Sequence, residues 1–156
     1  MSTGRTRAGA TSAWRIVQDA ASLLARVTTG AIFVAHGLQK YQLGLDAVTK
    51  SFAQMGAPLP EVAAPFAMVA ELVGGFLLIL GLLTPLASLV VLIVMAGAFL
   101  FIHSGKGLFV TEGGAELVLA LGALALLFLV YGAGRFSVDH LIFRRRRGSH
   151  GPGGGP

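Results

Sequence analysis

Four apolar stretches, each about as long as a lipid bilayer is thick, leave few folds open to this chain. They cover roughly residues 20–38, 62–83, 85–103 and 114–132. A helix rises ~1.5 Å per residue, so about 20 apolar residues cross ~30 Å of hydrocarbon. Inside that hydrocarbon every backbone amide needs a partner from the protein, which a helix supplies locally. The expected fold is therefore all-α, a polytopic membrane protein built as a four-transmembrane-helix bundle. Composition agrees: 54% of the 156 residues are hydrophobic and 12% are charged, too few charges to cover a soluble domain. There is no cysteine. That excludes disulfides, dithiol relays and thiolate metal sites, so redox chemistry here would require a cofactor, a quinone or a partner.

The second and third stretches are nearly continuous, broken only around Thr84-Pro85. A single helix over both would overshoot the bilayer. Proline fits the first turn of a helix and not its interior, so a tight helical hairpin is expected there. The organisation reads as a polar tail without fixed structure over residues 1–12, a membrane domain over 13–143, and a basic, then Gly/Pro-rich tail over 144–156. The loop at 39–61 has room for a short helix, about Leu45 to Met55, before the turn Gly56-Ala57-Pro58-Leu59-Pro60. The first stretch has a basic flank like a signal peptide, but Arg26 interrupts its apolar run, so a retained span is expected.

Most of the cationic residues lie at the two ends: Arg5, Arg7 and Arg15, then Arg144 to Arg147. The 39–61 loop carries only Lys40 and Lys50, and the 104–113 loop only Lys106. With an even number of spans, the positive-inside rule puts both termini in the cytoplasm, with the protein in the membrane that bounds it. The arginine-rich tail has no aromatic or domain context for nucleic acid, and its expected partner is the lipid bilayer.

Ionisable residues within spans are costly and are candidate sites by default. They are Arg26, His36 and Lys40 on the first span, Glu71 on the second, His103 on the third and Glu116 at the start of the fourth. Depth counting places His36, Lys40, His103 and Glu116 in the outer quarter, Glu71 near the midplane and Arg26 deeper. Arg26, Phe33 and Lys40 are seven apart and share one stripe, with His36 close by. Ala64, Ala67, Glu71, Gly74, Leu78 and Gly81 form a small-residue face that turns Glu71 into the bundle. His36, Glu71 and His103 are the expected ligand-contacting or proton-transfer groups, with Arg26, Lys40 and Glu116 as further pocket residues. Blander roles compete. Arg26 and Glu71 would form a buried ion pair, Lys40 would snorkel to headgroups, His103 would sit at the interface, and Glu116 would complement a helix dipole. Two histidines on different spans also suit haem or a metal by residue type, but their spacing lacks any close ligand pair.

These residues, in this order, resemble the DoxX family of small bacterial membrane proteins over roughly residues 24–142. The resemblance rests on Arg26 and Gly30, His36-Gly37-Leu38-Gln39-Lys40, the Gly56–Pro60 turn, and Glu71 with Gly74-Gly75. It continues through Gly81-Leu82-Leu83-Thr84, His103, Gly114 with Glu116, and Gly132-Ala133-Gly134-Arg135-Phe136-Ser137-Val138-Asp139. The family commonly has arginine after the threonine of the 2–3 turn, where this chain has Pro85. The resemblance implies a four-span bundle. It also implies a link to membrane oxidoreductase complexes, the family name coming from a subunit associated with thiosulfate:quinone oxidoreductase, and to oxidative-stress defence. The expected function is a quinone-linked or redox-complex membrane component, with a soluble or membrane redox partner and room for a homo-oligomer. An anchor that recruits soluble redox enzymes, or a small transporter subunit, are the alternatives.

Overall fold

The computed structural model describes the backbone of residues 4–142 and the side chains of residues 13–142. The tail expected over 144–156 lies outside the described residues. Five α-helices make up the described chain: α1 (Gly4–Leu43), α2 (Leu45–Gln54), α3 (Pro60–Leu80), α4 (Thr84–Gly97) and α5 (Glu116–Tyr131). A π-helical segment, Ala98–His103, prolongs α4, and a 3-10 turn, Val110–Glu112, precedes α5. Three segments are long and apolar enough to cross a membrane: Ala13–Leu43, Pro60–Leu80 and Thr84–His103. The apolar α5 is shorter at 16 residues. Together they form a helical membrane bundle.

α1 begins at Gly4, inside the segment expected to lack structure. Arg5, Arg7, Ala8 and Ala10 are good helix formers, and no proline interrupts them, so the helix extends backwards from its apolar part. The short helix expected near Leu45–Met55 is α2, set between glycines at positive φ, Gly44 at 84° and Gly56 at 78°.

α1 and α3 run antiparallel in the closest contact of the bundle. A Cβ on Gly75 would come within 2.7 Å of the Gly30 carbonyl oxygen, and one on Gly37 within 2.6 Å of Leu72. Only glycine lets the two backbones approach so closely, which is how membrane helices gain packing energy where lipid is as apolar as they are. α4 packs on α3 through Val91 against Gly74, and on α5 through Met95 against Gly122. Phe33, Leu78, Val91, Leu121 and Ala125 fill the space between.

The expected hairpin is present, and residues 132–139 lock it from outside. α3 ends in a Schellman motif: Gly81 sits at φ 66°, the Gly81 N–H donates to Leu78 O (3.1 Å) and the Leu82 N–H to Leu77 O (3.0 Å). Leu83 is then forced to φ 49°, unusual for a residue with a branched side chain. The Asp139 carboxylate compensates by accepting from the Leu83 N–H (2.8 Å) and the Thr84 N–H (2.9 Å), so a remote side chain caps α4. The Asp139 N–H in turn donates to Gly81 O at 2.9 Å. From α1, Arg26 reaches the same segment, with Nη1 donating to Ala133 O (2.9 Å) and Nη2 to Phe136 O (2.8 Å). Gly81 has no alternative here, since a Cβ would collide with the Arg26 guanidinium and with Ser137.

This clasp joins α1, α3, α4 and the segment after α5 at one end of the bundle. Asp139→Ala should lower unfolding free energy by about 1 kcal/mol through loss of the cap. Gly81→Ala should cost more, because positive φ and collision add. Thermal unfolding in detergent measures both, and an unchanged Gly81→Ala protein would contradict the clasp.

Candidate functional site

At the end of the bundle away from the clasp, the helices part around a cavity of about 430 Å³. Its walls are mostly apolar, with Phe33, Phe52, Phe66 and Phe101 contributing rings from four elements. Against them stand four ionisable side chains, His36 and Lys40 of α1, Glu71 of α3 and His103 at the end of the π-helical segment.

Lys40 and Glu71 form the polar wall. Lys40 Nζ donates to Glu71 Oε2 at 2.5 Å, with Glu71 only 4% exposed and the lysine stem partly buried. The pair exists because the glycine-lined α1–α3 contact brings the helices close enough for Lys40 to lean inward. That corrects two expectations. Lys40 does not snorkel to headgroups, and the partner of Glu71 is Lys40, not Arg26. Arg26 is 1% exposed at the opposite end, where its bonds go to carbonyl oxygens of the clasp. Among the described residues it pairs with no carboxylate within 4 Å. The guanidinium was expected as a pocket residue, but its short reach from α1 meets the returning 132–139 segment first.

His103 owes its position to the π-helical segment. Ala98 packs against the buried core, and in an α-helix the residue one turn beyond it would be Ile102. With i→i+5 bonding the turn is wider, which brings His103 round toward the face of Ala98. Its Nδ1 lies 2.7 Å from Gly113 O. A carbonyl only accepts, so Nδ1 carries the proton and donates, leaving Nε2 as the ring's free nitrogen.

Glu116 is not part of the wall. It occupies the first turn of α5, and its Oε1 accepts from the Val110 N–H at 2.8 Å. The Glu116 N–H donates to Leu108 O (2.9 Å), so this residue ties the 107–116 loop to the helix it begins. A glutamate at a helix N-terminus also suits the dipole, and that blander role is the one the geometry supports. Through Val110, which lines the cavity, Glu116 shapes the site without entering it.

Four of the six expected residues thus meet at one cavity, and Arg26 and Glu116 do not. Sequence reasoning missed the aromatic walls apart from Phe33, which its spacing from Arg26 and Lys40 had marked. Phe52 had a readable signal, since it falls in the expected loop helix. Phe66 and Phe101 looked like ordinary lipid-facing residues.

The Lys40–Glu71 pair provides a test by double-mutant cycle. Lys40→Met alone strands a carboxylate inside the bundle and should cost about 3–5 kcal/mol, whereas Lys40→Met with Glu71→Leu should recover most of that loss. Additive losses in detergent unfolding would show that the two residues do not interact.

The chain has relatives among known proteins. The profile of the DoxX family matches residues 21–104. An uncharacterised Haemophilus influenzae protein is 35% identical over 123 residues, covering 77% of this chain and 89% of that protein. A Bacillus subtilis protein with the name "Putative oxidoreductase CatD" is 29% identical over 126 residues, 81% of this chain and 90% of that protein. The "Inner membrane protein YphA" of Escherichia coli is 35% identical over 82 residues, 52% of this chain and 58% of that protein. No solved structure matches the chain significantly.

Proposed function

The chain belongs to the DoxX family, and on that premise we propose that it is the quinone-binding membrane component of a redox system. The observation that carries this reading is the convergence of His36, Lys40, Glu71 and His103, from three separate segments, on one largely apolar cavity. A similar relative bears an oxidoreductase name, which agrees with the reading.

The donor set fits a quinone headgroup. Four phenylalanines offer flat apolar surface to a planar ring. The polar wall is close to neutral, because Lys40 is already matched by Glu71. It therefore suits a neutral ring with carbonyl oxygens better than an anion. Such a carrier takes up electrons and protons together. The chain's own part is to bind and protonate: Lys40 Nζ donates toward a ring oxygen, and Glu71 holds or passes a proton beside it. His103 Nε2, oriented by the Gly113 bond, exchanges protons at the cavity's outer side, with His36 one helical turn from Lys40. With no cysteine in the chain, electrons come from a partner enzyme.

The cavity is blind. None of its lining residues belongs to the clasp, where Arg26, Gly81 and Ser137 fill the interior. A pocket closed at one end supports binding over passage, which ranks the transporter alternative below the redox reading. With both termini in the cytoplasm, as the arginine distribution favours, the cavity lies in the extracytoplasmic half of the inner membrane.

Glu71→Gln keeps the side chain's size and removes its ability to take up a proton. With a quinone analogue and the reducing partner, this variant should lose about a hundredfold in quinone-dependent turnover while still folding. Turnover equal to the unaltered protein would remove Glu71 from the mechanism.

A further inference from the structure

We infer that the cavity is loaded sideways from the bilayer, through a gap between α3 and α4, and so takes a quinone whose isoprenoid chain stays in the lipid. This rests on the carrier reading above and adds the route and the form of the ligand.

Ile93, Gly97 and Phe101 are spaced four apart and make one stripe along α4 and its π-helical extension. Ala63 and Phe66 are the contribution of α3. All five line the cavity. Yet Phe66 is 47% exposed, Ile93 52% and Phe101 47%. A side chain that lines an interior cavity and is also half exposed on the outer surface marks an opening between the two. Ile93 is the tenth residue of the 20-residue Thr84–His103 span, which places the lower rim of that opening near the middle of the bilayer. No water is present at that depth, so what passes there is dissolved in lipid. α3 and α4 touch through Gly74 and Val91 on the clasp side, and past that contact residues of both helices line the cavity.

Gly97 sits in the middle of the α4 rim with ordinary helical φ of −62°. A Cβ added there would meet nothing within 4 Å. Its small size is thus required neither by backbone conformation nor by close helix packing, unlike Gly30 or Gly75, and what it leaves is open space at the portal. A free lipid phosphate is a poorer occupant than a quinone. Among the described side chains of the cavity the one lysine is already paired with Glu71, so no surplus cation waits for an anionic head.

The portal is tested by Gly97→Leu, where an added side chain meets open space, and by Ile93→Trp at the half-exposed rim. Purified protein in liposomes is titrated with two quinones of one headgroup, a water-soluble form with a single isoprenoid unit and a form with many units. Binding is read by equilibrium partition of radiolabelled quinone. Each variant should raise the ratio of long-chain to short-chain Kd by about tenfold. An unchanged ratio in both variants, with both quinones still bound, would overturn the lateral route alone. Failure of the unaltered protein to bind either quinone would overturn the carrier reading and the route with it. A co-purifying phospholipid in the cavity that long-chain quinone does not displace would also overturn the proposal.

Discussion

A guanidinium buried inside a membrane bundle is costly without partners, and Arg26 finds them for Nη1 and Nη2 in two carbonyl oxygens of the segment after α5, while its Nε has none among the described residues. The rest of the architecture follows from this choice. To offer Ala133 O and Phe136 O, the chain must turn back across the end of the bundle, which places Asp139 at the start of α4. Gly81 must then be glycine, both for its positive φ and for the room Arg26 occupies. Three helices are pinned at one end, and the freedom to part is left to the other. The cavity lies where the clasp is not.

The two buried charged groups that looked alike therefore do different work. Arg26 spends both terminal nitrogens on backbone carbonyls and fixes the fold. Glu71 is matched by a lysine on the neighbouring helix and faces a cavity with two histidines in its walls. A buried ion pair is weak support for stability, because desolvating both charges offsets most of their attraction. A pair of this kind beside a cavity is better understood as a polar surface kept ready for a ligand. The π-helical segment fits the same view: it gives up regular α-helical bonding over Ala98–His103 and gains a histidine at the cavity.

Much of this is legible in the chain itself. Apolar length marked the spans, the Thr84-Pro85 break marked the hairpin, and the cost of charge in hydrocarbon pointed to His36, Lys40, Glu71 and His103. What failed was pairing. Depth and helical facing place a residue on its own helix but do not say which neighbour that face meets. An Arg26–Glu71 pair is one reading those depths allow, and the structure gives Arg26 the 132–139 segment instead. Asp139 carried no signal as a cap, since it acts 55 residues away from Thr84. The half-exposed aromatic residues Phe66 and Phe101 were hidden for a different reason: any lipid-facing side chain is apolar, so pattern alone does not separate a portal from a surface. Glu116 was misplaced because a helix N-terminus and a pocket both favour a carboxylate.

The central claim is that one end of the bundle is a ligand cavity and the other is a structural clasp. Photo-crosslinking with an azido-quinone in liposomes, followed by mass-spectrometric mapping of the labelled peptides, tests it most directly. The account predicts label on the α1 peptide around Phe33–Lys40, the α3 peptide around Ala63–Glu71 and the segment at Phe101–His103. Label concentrated instead around Arg26, Gly81 and residues 133–139, or spread evenly over lipid-facing residues, would contradict it.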